Sequence, residues 1–112
     1  MQIPNADRAV IDPVKLHGYL LSRSHPVGRF KASFFLALGY SSEKWQELAA
    51  DLRSQHLSRD ATLEGQTPYG RKYSIRASLL GPGSSAAVVS VWVVRTGEEV
   101  ARFVTAYPEV GR

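Results

Sequence analysis

Apolar positions recur with one period in the first half of the chain and another in the second. Asp12 followed by Pro13 is an N-cap and a first-turn proline. Val14, Leu16, Tyr19 and Leu20 then follow at helical spacing. The run stops in Ser22-Arg23-Ser24-His25-Pro26, since a residue preceding proline is driven out of the helical region. A second helix is predicted from about Gly28 to Leu38, with Phe30, Phe34, Phe35 and Leu38 on its apolar side and Gly39 as its C-terminal stop. Ser41 or Ser42 caps a third, with Glu43 favourable in its first turn and Trp45, Leu48, Ala49 and Leu52 as its stripe.

After the turn signal Thr67-Pro68-Tyr69-Gly70 the period becomes two. Tyr73, Ile75, Ala77 and Leu79 alternate with Lys72, Ser74, Arg76 and Ser78, as in a half-buried strand. Gly81 to Ser85 is a loop. The valine-rich run from Ala86 to Arg95 reads as a central strand buried on both faces. Thr96 to Glu99 is a hairpin turn, and Val100 to Tyr107 is a last strand closed by Pro108. Residues 57–66 lack a clear period and suggest only a short edge strand around Leu63. Helices followed by strands predict an α+β fold, two to three N-terminal helices packed on a three- or four-stranded antiparallel sheet. All 112 residues are expected to form one domain.

Composition narrows the chemistry. The 44% apolar and 21% charged fractions are those of an ordinary globular chain, and the absence of cysteine excludes disulfides and thiolate catalysis. The formal charge is +4, unevenly spread. Residues 13–31 hold Lys15, Arg23, Arg29 and Lys31 with no carboxylate, and residues 71–95 hold Arg71, Lys72, Arg76 and Arg95 with none. Two such segments on one face would attract phosphates or an acidic protein. No run approaches a membrane span and the N-terminus lacks a secretory apolar region, so a soluble cytoplasmic protein is expected.

There is no phosphate-binding loop, the histidines lack metal-ligand spacing, and no metal or other cofactor is expected. Basic and hydroxyl chemistry is left, and RNA cleavage runs on it: the substrate's 2′-hydroxyl is the nucleophile, and the protein supplies a base, an acid and cations. His25 is the candidate for proton transfer, since it lies in a loop just before a helix start, near Arg29 and Lys31; its structural alternative is to cap that helix. His17 reads as a surface or packing residue. His56 reads as structural, a cation at a helix C-terminus. On the last strand Thr105 and Tyr107 share a face, from which Arg102 is turned away unless a bulge intervenes. Trp92 reads as core, with base stacking as the alternative.

Several segments carry a resemblance. They are Ile3-Pro4-Asn5-Ala6-Asp7, Lys15-Leu16-x-x-Tyr19-Leu20-Leu21, His25-Pro26-x-Gly28-x-x-Lys31-Ala32-x-x-Phe35, Tyr69-Gly70-x-x-Tyr73, Gly81-Pro82, Val91-Trp92-Val93-Val94, and Arg102-Phe103-Val104-Thr105-x-Tyr107-Pro108. Together they resemble a small bacterial family classed as a domain of unknown function. More loosely, the arrangement is similar to the barnase–EndoU–colicin–RelE class of toxin RNases, which set one or two helices before a four-stranded sheet. That resemblance implies a metal-independent endoribonuclease. His25 would exchange protons, Lys31 and Arg102 would hold the phosphate, and Thr105 and Tyr107 would orient it. Arg29, Arg76, Arg95 and Trp92 are the accompanying substrate-binding candidates. It also implies an acidic antitoxin or immunity partner. A proline commonly precedes the arginine in that pattern; here Ala101 stands there. The alternative from the residues alone is a non-enzymatic basic module binding RNA or an acidic protein. A third is dimerisation through an exposed sheet edge.

Overall fold

Four strands form one antiparallel sheet in the order β1-β2-β3-β4, in a computed structural model that describes residues 1–109. The strands are β1 (Thr62–Thr67), β2 (Gly70–Leu80), β3 (Ser85–Arg95) and β4 (Arg102–Pro108). Three helical segments precede them, so the fold is α+β: α1 (Pro13–Lys15), α2 (Arg29–Ala37) and α3 (Trp45–Asp51). Among the described residues no helix is long and apolar enough to cross a membrane.

Two of the predicted helices contain a π turn, which a 3.6-residue period does not foresee. Asp12 caps α1, its Oδ1 accepting from the Val14 amide at 3.0 Å. The chain then widens into a π turn over Leu16–Leu20, closed by Leu21 N donating to Leu16 O at 2.8 Å. The wider turn lets Leu16, Leu20 and Leu21 all point inward. Tyr19 is left at the margin, and Val14, expected in the apolar stripe, is exposed. In the same way α3 continues as a π turn over Leu52–His56, burying Leu48, Leu52, His56 and Leu57. Gly39 ends α2 as anticipated, at φ 102°, a conformation that an L side chain would strain. Phe35 and Leu38 of α2 are core, but Phe30 is 73% exposed, against its predicted place on the apolar side. It lies in the first turn, where the helix overhangs the core.

The sheet has two unlike faces. Tyr73, Ile75 and Leu79 of β2, Val88, Trp92 and Val94 of β3, and Phe103 and Ala106 of β4 join the helical core. Phe103 and Ala106 are three residues apart, which strict alternation forbids. The register explains it: Trp92 pairs with Phe103 and Val91 with Thr105, leaving Val104 as the extra residue of a β-bulge. β3 is buried on both faces from Val88 to Trp92 and at Val94, as its valine content predicts, and is exposed at Ser85, Ala87 and Arg95. The short edge strand expected around Leu63 is β1, which runs on through Thr67 of the predicted turn and is exposed at every residue. Val10 covers the start of the other edge through a parallel bridge to Arg102, with Val10 N on Ala101 O at 2.8 Å and Phe103 N on Val10 O at 2.9 Å.

His56 is structural, as expected, but it does not sit as a cation at a helix end: it is wholly buried. Its Nδ1 lies 2.8 Å from Ser90 Oγ and its Nε2 3.2 Å from Ala77 O, while Trp92 Nε1 donates to Ser90 Oγ at 2.9 Å. The consistent assignment is a neutral ring with Nε2–H donating to Ala77 and Ser90 donating to Nδ1. Burial pushes the His56 pKa below 6.5, assisted by the Arg59 charge and opposed by the Ala77 hydrogen bond. A folded-state pKa below the unfolded one makes the unfolded chain the stronger proton binder. The stability contributed by neutral His56 is therefore complete above about 6.5 and is lost as pH falls from there toward the folded-state value. Urea midpoints should fall over that window, and His56→Gln should flatten this part of the pH dependence. An unchanged slope would contradict the neutral assignment.

Candidate functional site

The early loop–helix and the last strand meet at Lys31. Its Nζ donates to Tyr19 Oη at 2.8 Å and to Thr105 Oγ1 at 3.1 Å, and the two hydroxyls lie 3.2 Å apart. Three elements distant in sequence thus converge on one ammonium group. Lys31 sits on the first turns of α2, Tyr19 at the margin of the π turn after α1, and Thr105 just past the bulge of β4. Among the described residues Lys31 has no carboxylate partner, so its charge is met only by hydroxyl oxygens.

Tyr19 was not among the sequence candidates; it stood in the apolar stripe of the first helix. Leu16 and Leu20, four apart, fill the buried positions of that stripe, and a tyrosine beside them can bury its ring and keep its hydroxyl free. That was the available signal. Burial raises the Tyr19 pKa, but the hydrogen bonds from Lys31 and Thr105, with the charges of Lys31 and Lys15, outweigh it, so the phenol ionises below its usual 10.0. Lys31 Nζ also lies 5.3 Å from the centre of the Tyr19 ring.

His25 joins this cluster through Tyr19: the ring centroids are 5.0 Å apart, edge to face. Its Nδ1 accepts from the Val27 and Gly28 amides at 3.0 and 2.9 Å, and His25 O accepts from Arg29 N at 3.1 Å. The helix-capping alternative is therefore realised. It holds the ring proton on Nε2 and fastens the loop to the start of α2. Gly28 makes the junction possible, since a Cβ there would fall 2.0 Å from the Tyr19 carbonyl oxygen.

The bulge settles the orientation of β4. Arg102 pairs with Val93, Thr105 with Val91 and Tyr107 with Val89, so all three share the sheet face turned away from the helical core. Across the sheet Lys72, Ser74 and Arg76 stand opposite the same three valines, and Arg95 ends β3 on that side. The cations of this face are partly spoken for. Glu98 grips Arg102 with both carboxylate oxygens, at 3.0 and 3.2 Å, which lowers the Glu98 pKa and raises that of Arg102. Arg76 Nη1 lies 3.3 Å from Glu64 and its Nε 3.9 Å from Glu109, and Glu64 also takes a hydrogen bond from Ser74. The hydrogen bonds from Ser74 and Arg76 hold the Glu64 carboxyl below its usual pKa. Tyr107 is 36% exposed beside this row.

Trp92 cannot stack on a nucleobase, because it is fully buried on the opposite face and its ring meets Phe103 at 5.2 Å. Arg29 is exposed at the start of α2, its guanidinium 4.8 Å from the Phe30 ring centre. Among the described residues no group of three or more acidic or histidine side chains is placed to hold a metal ion.

No curated protein and no solved structure matches the chain. One family model does, over residues 2–110, and its description is a domain of unknown function. Covering nearly the whole sequence, that match places the chain in the uncharacterised family DUF6883.

Proposed function

We propose that this protein is a metal-independent endoribonuclease working at the Lys31–Tyr19–Thr105 cluster. The observation that carries the reading is the bidentate use of Lys31: one ammonium, without a carboxylate partner among the described residues, bonded to a phenol of lowered pKa and to a hydroxyl. In this scheme the phosphodiester lies against Lys31, whose third N–H is free for it. The Tyr19 oxygen, as phenolate, takes the proton of the 2′-hydroxyl. The 2′-oxygen bonds to phosphorus, and the P–O5′ bond breaks with its electron pair going to the 5′-oxygen. That oxygen takes a proton from the Lys31 ammonium. A 2′,3′-cyclic phosphate and a free 5′-hydroxyl result. Transfer of the Tyr19 proton across the 2.8 Å contact restores the starting pair.

Thr105 orients the phenol. His25, with its Nδ1 engaged, acts as an Nε2–H donor to the phosphate and not as the proton-exchange group that the sequence suggested. Arg102 and Arg76 reach the substrate by sharing or releasing their carboxylates, and Tyr107 flanks the scissile phosphate. A toxin-like role would need a neutralising partner whose acidic surface covers the same face.

Purified protein should cut mixed RNA in the presence of a chelator, leave 2′-O-methyl RNA intact, and produce cyclic phosphate ends. The rate should rise with pH toward the Tyr19 ionisation, because phenolate is the working base. RNA left whole at high protein concentration across neutral and mildly alkaline pH overturns the enzyme reading. Salt-sensitive RNA association without cleavage would make the site a binding surface instead.

A further inference from the structure

Resting on the RNA reading of the Lys31 site, we infer that the exposed ring of Phe30 is the stacking platform for the nucleobase adjoining the phosphate held at Lys31, and that the substrate is single-stranded there. Phe30 is 73% exposed and Val27, one turn before it, 56% exposed. Neither contributes to the core, although α2 has interior positions that Ala32 and Phe35 fill. A phenyl ring left in water has most of its transfer free energy still to gain, so a flat apolar partner would bind it favourably.

Charge selects the partner. From Pro13 to Ser42 the chain carries Lys15, Arg23, Arg29 and Lys31 and no aspartate or glutamate. An apolar ring near cations that have no ion-pair partner among the described residues matches a polyanion that bears flat apolar rings, which describes unpaired nucleic acid. Arg29 lies 4.8 Å from the ring centre, where its guanidinium can also meet a base edge or a phosphate. Phe30 and Lys31 are consecutive in the first turn of α2, about 100° apart around its axis, so a strand that crosses the start of the helix can bring a base to one and a phosphate to the other. A duplex would keep its bases stacked inside and present none to the ring. Phe30 thereby takes the stacking role for which Trp92 is unavailable.

Binding of a short fluorescent 2′-O-methyl oligouridine tests this without cleavage. Phe30→Ala should weaken binding about tenfold with its salt dependence unchanged, and Phe30→Trp should restore it. Arg29→Gln should instead reduce the salt slope by roughly one phosphate contact. Exposure of Phe30 leaves the fold of these variants intact. Equal affinity of Phe30→Ala and wild type, or no binding by wild type, overturns the platform. Loss of self-association in Phe30→Ala with unchanged RNA affinity also overturns it, assigning the ring to a protein contact. Phe30-dependent binding by a protein that leaves ordinary RNA uncut would refute the nuclease and keep the platform. Efficient cleavage by both wild type and Phe30→Ala would refute the platform alone.

Discussion

Lys31→Met should reduce RNA cleavage by about 10²–10³-fold, the usual consequence of removing a positioned charge from a transition state that gathers negative charge. The fold should survive. Lys31 is only partly buried, and its loss leaves Tyr19 and Thr105 bonded to each other at 3.2 Å, so no polar group is orphaned. A second readout is independent of activity. In the wild-type protein Tyr19 should ionise below 10.0. In Lys31→Met that transition should move up, since the main opponents of burial are gone, and in Tyr19→Phe it should vanish. Lys31→Arg should rescue little, because a planar guanidinium does not deliver two divergent bonds to hydroxyls placed for a single ammonium nitrogen. Ultraviolet titration and cleavage assays on the same samples check both effects. A tyrosine titration unaffected by Lys31→Met would remove the pair from the chemistry.

Gly28→Ala should be the most disruptive single methyl addition. The new Cβ would stand 2.0 Å from the Tyr19 carbonyl oxygen and 2.7 Å from its carbon, and these are backbone atoms within the π turn. A flexible side chain could swing aside; a hydrogen-bonded backbone yields only by moving the start of α2 away from Tyr19. Overpacking of this kind costs about 1–3 kcal/mol and sometimes more, and the upper half of that range is expected here. At roughly 4–8 °C per kcal/mol for a domain of this size, Tm should drop by about 10 °C or more. Displacing α2 also draws His25 and Lys31 away from Tyr19, so activity should fall further than the loss of folded protein accounts for. A thermal melt together with cleavage at a temperature where the variant is folded separates the two. Unchanged stability would show that the approach of the two backbones is not a close constraint.

Gly28 also shows how a sequence motif can hold a structural meaning that the sequence does not display. His25-Pro26-x-Gly28-x-x-Lys31 reads as a turn with candidate chemistry. In the folded chain it is a junction: His25 caps the helix, Gly28 admits the Tyr19 carbonyl, and Lys31 extends across to β4. Trp92 lies in the core, as its place in the valine-rich strand predicts, whereas Phe30, placed by helical spacing on the apolar side of α2, is exposed. In a strand buried on both faces, hydrophobicity does not mark which face is open, and in a helix's first turn the stripe pattern does not reveal whether anything lies beneath it. A positive charge at the end of the third helix suits the helix dipole, which is why His56 reads as a helix-end cation; the π turn instead rotates it into the core beside Ser90.

Local chemistry by itself determined the order of elements, helices and then hairpins, because caps, turn residues and the period of apolar positions act within a few residues of chain. It also determined the cation-rich, carboxylate-free stretch around Lys31 and the exclusion of cysteine chemistry, since these are matters of composition. Only the tertiary structure decided that Tyr19 belongs with Lys31 and Thr105, that His25 packs edge-on against Tyr19, and that Arg102 shares a face with Thr105. Those outcomes depend on a bulge at Val104 and on π turns, each a shift by one residue. Such shifts are set by which distant side chains must be buried together, and no local period records them.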